Sequence, residues 1–149
     1  MMPRKKLHKA TLKGTIALYK KRKLPHPASS AKTYMRGYVA DGYYEWKREK
    51  YMKTPHYFKR QDDEIIFFAG IYKTKQFCIV TREATLNVGD IHDRQPVIID
   101  KKDLNHYLDL KNDGVDFLNS YKAPELKFHP VSKDVNIPIN NNENLILPK

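Results

Sequence analysis

Two short segments of the chain carry side chains whose types could do chemistry together. Glu45 lies in an aromatic-rich stretch, residues 43–46. His92 and Arg94 lie 47 and 49 residues further on, just before an apolar run. These residues supply one acid, one base that titrates near neutral pH and one permanent cation. That set suits proton transfer on an anionic substrate, so the sequence predicts an acid/base site if the fold joins the two segments.

Each candidate also has a simpler interpretation. Alternation along a strand places Glu45 on the same side as Lys47, where it could be an ordinary solvent-exposed carboxylate. In a partly dry pocket beside the aromatic rings, burial would instead raise the pKa of Glu45 and suit it to proton transfer. His92 sits in a polar loop before a strand, where functional side chains are common, although a single histidine there can be merely solvated. Arg94 would lie on the same side of an extended segment and offer a forked donor to a phosphate.

The elements that must position these residues indicate a mixed α+β domain with several short antiparallel strands in a barrel-like sheet. Strand patterns occur at residues 34–39, 43–46, 57–59, 65–72, 77–81, 96–99 and 128–131. Helical patterns occur at residues 83–88, at 101–110 behind Asp100 as the N-cap, and at 115–121. The pair Asp62 and Asp63 predicts a hairpin turn, and the asparagine-rich end predicts a loop.

The charge of the chain is concentrated at its start. Residues 1–40 hold eleven Lys and Arg and no Asp or Glu, and the other 109 residues hold 17 basic and 17 acidic side chains. We therefore divide the chain into a basic segment with a linker, residues 1–33, and a domain at residues 34–149. A basic block beside a neutral body is typical of a nucleic-acid contact. The alternative is a solvated lysine-rich tail produced by compositional bias, which the Asn140–Asn142 run also suggests.

Composition excludes several classes of protein. The length of 149 residues suits one domain with a core, and the apolar runs are too short to span a membrane. Cys78 is the one cysteine, so neither an intrachain disulfide nor a cysteine-type zinc site can form, and we expect a cytoplasmic protein, nucleoid-associated if bacterial. Its apolar neighbours favour a buried, inert thiol. The histidines lack metal-like spacing, so we expect no metal and no cofactor.

Five blocks of sequence occur in an order and spacing that resemble one known family. They are Ala-Asp-Gly-Tyr-Tyr-Glu-Trp at 40–46, Phe-Ala-Gly-Ile-Tyr at 68–72, Val-Thr-Arg-Glu-Ala at 80–84, Ile-His-Asp-Arg-Gln-Pro-Val-Ile at 91–98, and Pro-Val-Ser-Lys-Asp-Val-Asn at 130–136. They resemble blocks of the SOS response-associated peptidase family, also called abasic site processing proteins. The resemblance runs from about residue 36 to residue 148, some three quarters of the chain.

The resemblance implies a function in the DNA damage response. Members of the family capture abasic sites in single-stranded DNA through an N-terminal cysteine, whose amine and thiol close a thiazolidine with the sugar aldehyde; the family name also implies autoproteolysis. By position, Glu45 corresponds to the active-site glutamate and His92 to the acid/base histidine. Arg94 and Thr81 would contact the DNA backbone or the abasic sugar. The implied partner is single-stranded DNA with abasic sites, and no membrane is implied.

The chain departs from the family pattern at its start. Met2 stands where the family has its cysteine, and no Asn-Ala-Arg motif is legible upstream of residue 40. We therefore expect DNA binding without the thiazolidine crosslink, which leaves open whether the chain acts as an enzyme. The alternatives are the C-terminal half of a split or disrupted protein, with the N-terminal half supplied in trans, and a non-enzymatic DNA-binding module.

Overall fold

The structure of the protein is a computed structural model that describes residues 34–73, 76–109, 111–112 and 114–149. The predictions for the basic segment, residues 1–33, lie outside the described residues. The prediction that the thiol of Cys78 is buried likewise concerns a side chain outside the described part.

Nine strands in the described part of the chain pair in antiparallel fashion. They are β1 (Tyr34–Ala40), β2 (Tyr43–Arg48), β3 (Lys53–Arg60), β4 (Ile66–Lys73), β5 (Gln76–Ile79), β6 (Thr81–Glu83), β7 (Arg94–Pro96), β8 (Ile98–Ile99) and β9 (Leu126–Pro130). The first sheet has the order β1-β4-β5, with β8 also paired to β4; the second has the order β2-β3-β9; the third pairs β6 with β7. The predicted α+β class is confirmed, but the strands form three sheets instead of one closed barrel.

Helices are short, and those in the described chain all follow β6. They are α1 (Leu86–Gly89), α2 (Leu104–Leu108) and α3 (Gly114–Ser120), with 3₁₀ turns at Lys101–Asp103, Lys133–Asn136 and Glu143–Ile146. The predicted turn at Asp62 and Asp63 is present: the backbone N–H of Asp63 donates to the Arg60 carbonyl, and Asp63 has a positive φ of 61°. The end of the chain, expected to be loop, contains the last two 3₁₀ turns.

Two predicted strands, residues 77–81 and 96–99, are each split between sheets. The split occurs at Val80 and at Val97, both buried. The Val80 N–H donates to the Ala69 carbonyl at 2.8 Å, the Val97 N–H to the Val80 carbonyl at 2.9 Å, and the Ala69 N–H to the Val97 carbonyl at 2.8 Å. This three-way junction keeps the buried backbone groups paired while the chain passes from the first sheet to the third.

The two faces of β2 contact different parts of the protein. Tyr43 is fully buried in a cluster with Phe58 and Phe68, which joins the first and second sheets. Tyr44, on the opposite face, packs in a cluster with residues of the C-terminal segment (residues 131–149), among them Leu145. Side chains of this strand therefore alternate between two faces, as predicted, and other parts of the protein cover both faces. A side chain on the same face as Tyr43 lies close to the core.

Two buried tyrosines give opposite predictions for stability. The Tyr107 hydroxyl donates to the Gly70 carbonyl at 2.7 Å, whereas the Tyr43 hydroxyl meets no hydrogen-bond partner in the described part of the chain. Burial raises the pKa of Tyr43 well above its usual range, so the hydroxyl stays neutral. An unpaired buried hydroxyl costs about 1–3 kcal/mol, and a typical hydrogen bond contributes about 1 kcal/mol. We expect Tyr43→Phe to raise the free energy of unfolding by about 1 kcal/mol and Tyr107→Phe to lower it by a similar amount, measured by urea denaturation. A loss of stability in Tyr43→Phe would show that the hydroxyl is satisfied in solution.

Candidate active site

Glu45 occupies the middle of β2, opposite His56 of β3, on the same face as Tyr43. Its side chain is only 12% exposed, so the solvent-facing interpretation of this carboxylate does not hold in the structure. Burial raises the pKa of Glu45, and the nearby charge of His92 opposes part of that rise. The raised pKa favours a carboxyl group that can carry a proton nearer to neutral pH than an exposed glutamate does.

His92 is held in place by the loop that follows α1. The backbone N–H groups of Ile91 and His92 both donate to the Val88 carbonyl, at 3.0 and 3.1 Å. Val88 and Ile91 are buried in the same cluster as Tyr43. The loop is therefore anchored by apolar side chains on either side of a short turn, and His92, as the next residue, projects from that anchor.

Glu45 and His92 meet in the folded chain. The Nε2 atom of His92 lies 3.9 Å from Oε2 of Glu45, and the two side chains are 18% and 12% exposed. This separation is within ion-pair range and longer than a hydrogen bond, as is common in catalytic pairs before a substrate binds. On the other side of the ring, Nδ1 lies 3.1 Å from a carboxylate oxygen of Asp93 and 3.1 Å from the Arg94 carbonyl oxygen, and it donates to these acceptors in the tautomer with the proton on Nδ1. In that tautomer the free lone pair of the ring is on Nε2, facing Glu45.

Arg94 and Thr81 also meet, across the β6–β7 pair. The guanidinium of Arg94 donates from Nε to the Thr81 hydroxyl at 3.2 Å and from Nη2 to the Thr81 carbonyl at 2.7 Å. Thr81 is only 1% exposed, so its burial does not favour the direct DNA contact expected from the sequence. Instead, Thr81 fixes the orientation of a cation that lies two residues from His92.

Gln95 was not singled out from the sequence, although it organises the same loop. It is 2% exposed, and its Oε1 accepts from the Thr85 backbone N–H at 2.8 Å and from the Thr85 hydroxyl at 3.0 Å. The Ala84 N–H donates to the Asp93 carbonyl at 3.0 Å, which closes the loop from its other end. The signal was present in the alternation: Gln95 lies on the strand face opposite Arg94, which points a polar amide inward.

The assembled site is a largely buried carboxyl group beside an imidazole, with an oriented guanidinium two residues along the chain from that imidazole. Such a pair can donate a proton from one member and accept one on the other. Within the ranges that the structure describes, no cluster of three or more His, Cys, Asp or Glu side chains is arranged to hold a metal ion. Among those same residues, no helix is both long enough and apolar enough to cross a bilayer.

Comparisons with known sequences extend these observations. The sequence profile of the family described as SOS response associated peptidase (SRAP) matches residues 29–138. The abasic site processing protein YoaM of Bacillus subtilis (strain 168) is 36% identical over 121 residues, covering 72% of this chain and 53% of that protein. The abasic site processing protein YedK of Escherichia coli (strain K12) is 31% identical over 122 residues, covering 73% of this chain and 55% of that protein. The chain thus spans about half the length of these curated relatives.

Solved structures share the fold. A crystal structure of a protein from Bacteroides thetaiotaomicron matches with a TM-score of 0.66 at 18% identity, covering 78% of this chain and 57% of that one. A phage-related protein from Bordetella bronchiseptica matches with a TM-score of 0.56 at 21% identity, covering 79% of this chain and 62% of that one. At these identities the likeness shows a common fold.

Proposed function

Since the chain belongs to the SOS response associated peptidase family, we propose that it binds single-stranded DNA at abasic sites, with Glu45 and His92 moving protons at the abasic sugar. The family function is abasic site processing, as the names of the relatives state.

The observation that supports the proposal best is the meeting of Glu45 and His92. They lie 47 residues apart in sequence, Glu45 on β2 and His92 in the loop before β7, yet their side chains are 3.9 Å apart and largely buried. A surface ion pair would leave both groups solvated and would contribute little to stability. Here a carboxyl group is kept in a desolvated position where burial raises its pKa, an arrangement more typical of functional sites than of scaffolding.

The chemistry needs one proton donor and one acceptor. An abasic sugar must open from its ring form to the aldehyde, which removes a proton from the 1′-hydroxyl and adds one to the ring oxygen. Attack by an amine then forms a C–N bond, and the carbonyl oxygen leaves as water after taking up two protons. In this proposal Glu45, in its protonated form, donates to the departing oxygen and His92 accepts from the attacking amine. Positioned acid/base groups of this kind contribute roughly 10²–10⁴-fold in rate.

Arg94 supplies the contact with the DNA backbone in this scheme. Its orientation by Thr81 gives a fixed cation two residues along the chain from His92. A fixed guanidinium binds a phosphate oxygen with less loss of side-chain entropy than a flexible lysine does. Thr81 therefore acts as a positioning residue for Arg94.

The nature of the covalent product depends on the nucleophile. This polypeptide has a methionine at position 2 and its one cysteine at position 78. A thioether cannot close a thiazolidine, so the 149-residue polypeptide is expected to form a reversible imine through its α-amine and no stable crosslink.

A borohydride-trapping assay tests the proposal. The purified chain is incubated with single-stranded DNA that carries one abasic site, with and without borohydride, and the products are separated on a denaturing gel. A matched oligonucleotide with a tetrahydrofuran abasic analogue, which has no aldehyde, is the control. We expect a covalent band that requires both borohydride and the aldehyde, together with salt-dependent binding of both oligonucleotides.

The other outcomes separate the alternatives. A band that survives denaturation without borohydride would contradict the expected imine. DNA binding with no band under either condition would favour a non-enzymatic binding module. A band that appears only after addition of a polypeptide with the N-terminal half of a relative such as YoaM would favour a chain that works with its complement in trans. Absence of any DNA binding would refute the proposal.

A further inference from the structure

The hairpin between β2 and β3 carries a basic and aromatic tip, in which the charge of Arg48 acts on Glu45 while Lys50, Tyr51 and Met52 play no part in the acid/base site. The tip is closed by two backbone hydrogen bonds, from the Glu49 N–H to the Met52 carbonyl at 2.9 Å and from the Met52 N–H to the Glu49 carbonyl at 3.3 Å. Lys50 and Tyr51 therefore stand at the end of a paired ladder in which Arg48 lies opposite Lys53. We call residues 47–53 the hairpin tip.

The side chains of the hairpin tip combine positive charge with exposed apolar surface. Residues 47–53 contain four basic side chains and one acidic one, although residues 41–149 as a whole are electrically balanced. Tyr51 is 86% exposed and Met52 is 54% exposed. The ammonium group of Lys50 lies 5.4 Å from the centre of the Tyr51 ring.

Charge alone has an ordinary explanation, because lysines at strand ends discourage edge-to-edge association. The exposed tyrosine and methionine do not fit that explanation, since bare apolar side chains favour association. A ring flanked by cations fits single-stranded nucleic acid, where bases stack on aromatic side chains and phosphates bind the surrounding cations.

We propose that the hairpin tip is a contact site for single-stranded DNA, in which Tyr51 stacks on a base while Lys50 and Lys53 bind phosphates. This inference rests on the proposed function and adds a second DNA contact, away from the abasic sugar. The strand that carries Glu45 ends at Arg48, three residues or about 10 Å further along at 3.3 Å per residue, and Tyr51 lies beyond it in the turn. Stacked nucleotides rise about 3.4 Å each, so the base on Tyr51 would lie about three to five nucleotides from the abasic site.

Fluorescence anisotropy with the full chain and two labelled probes of equal length tests this contact. One probe is single-stranded DNA with one tetrahydrofuran site; the other consists only of abasic spacers and therefore has phosphates but no bases. We expect Tyr51→Ala to weaken binding of the first probe roughly tenfold, equivalent to about 1.4 kcal/mol of stacking, and to leave binding of the second unchanged. Tyr51→Phe, which keeps the ring, should bind both probes like the wild type. Ile139→Ala, at a residue that is 88% exposed, controls for the loss of an exposed apolar side chain.

The phosphate contacts are tested by the salt dependence of binding. The double variant Lys50→Gln, Lys53→Gln should reduce the slope of log affinity against log salt concentration by about 1.4, at about 0.7 for each phosphate contact with a single strand. The exposed pair Lys111→Gln, Lys133→Gln removes the same charge elsewhere in the described chain and should leave the slope closer to that of the wild type.

The outcomes distinguish this inference from the proposed function. If the wild type binds the first probe and Tyr51→Ala binds it equally well, the hairpin contact is overturned and the function at the abasic site stays intact. An equal loss on both probes would also overturn it, because the spacer probe offers no base to stack. No binding of either probe by the wild type would overturn both proposals.

Discussion

Replacing Glu45 by glutamine is expected to slow formation of the borohydride-trapped adduct by roughly 100-fold, the lower end of the range for a positioned acid/base group. Glutamine keeps the size and polarity of the side chain but cannot donate the proton that the departing oxygen requires. Single-turnover time courses of the trapped band, at saturating protein, isolate this step from DNA affinity. DNA binding itself should change little, because in the proposal Glu45 contacts the sugar during the reaction and makes no contact with phosphate.

Measuring the stability of Glu45→Gln tests whether its lost activity comes from loss of the fold. Burial raises the pKa of Glu45 in the folded chain above the ordinary value of 4.5. The contribution of this group to stability is therefore fully present below pH 4.5 and is lost as the pH rises through the folded-state pKa. Glu45→Gln should thus gain stability over the wild type as the pH is raised from 4.5 towards neutrality. Glu64→Gln, at an exposed position, should alter neither the rate nor this pH dependence. If Glu45→Gln forms the trapped adduct at the wild-type rate, Glu45 has no role in the reaction.

Replacing Arg60 by alanine should cause one of the largest losses of stability available in the described chain. Its guanidinium bonds to Asp62 through Nε at 2.8 Å and to Asp100 through Nη1 at 2.7 Å, and its side chain is only 9% exposed. These contacts hold the pKa of Arg60 above its usual range, chiefly through the hydrogen bond with Asp62. They also tie β3, in the second sheet, to the residue that follows β8 in the first. Breaking a buried ion pair costs about 3–5 kcal/mol, and we expect about 3 kcal/mol because both carboxylates keep some access to water.

Lys59 provides the matched control. It is the neighbour of Arg60 and pairs with Asp63, but its side chain is 37% exposed. Exposed ion pairs contribute roughly 0–1 kcal/mol, so Lys59→Ala should change the free energy of unfolding by no more than about 1 kcal/mol. Urea denaturation followed by circular dichroism measures both. Equal effects of the two substitutions would show that burial of the Arg60 ion pairs adds nothing to the free energy of unfolding.

Candidate site residues could be chosen from the sequence, where they remain a prediction, but their surroundings could not be foreseen. Glu45, His92 and Arg94 stand out by type and by position beside strands. The burial of Glu45 could not be foreseen, because aromatic residues lie on both sides of it and alternation does not say which face of a strand meets water. The structure resolves this because the C-terminal segment covers the face of Tyr44, and the Tyr43 face turns to the core.

The fold shows the same limit, which is that local signals do not specify long-range partners. The predicted helix at 101–110 appears as a 3₁₀ turn followed by α2 at Leu104–Leu108. Asp100 precedes it as expected, but its side chain makes no cap hydrogen bond, and its carboxylate binds Arg60 instead. Helix α3 at Gly114–Ser120 is close to the predicted 115–121, although the buried Leu118 of this helix packs against residues distant in sequence, among them Ala69 and Val97. The splitting of strands at Val80 and Val97 depends on a three-way junction that no single segment encodes.

The attachment of the C-terminal segment to β2 has a spectroscopic consequence. Trp46 is the one tryptophan of the chain, and its Nε1–H donates to Oδ1 of Asn136 at 2.9 Å. It is also the residue next to Glu45. Light absorbed selectively by tryptophan is therefore emitted from a single point, between the acid/base pair and the segment that covers the back of its strand. Changes in the wavelength or lifetime of this emission report on that point alone. Trp46 therefore serves as an intrinsic probe, without any added label, of ligand binding and of release of the C-terminal segment.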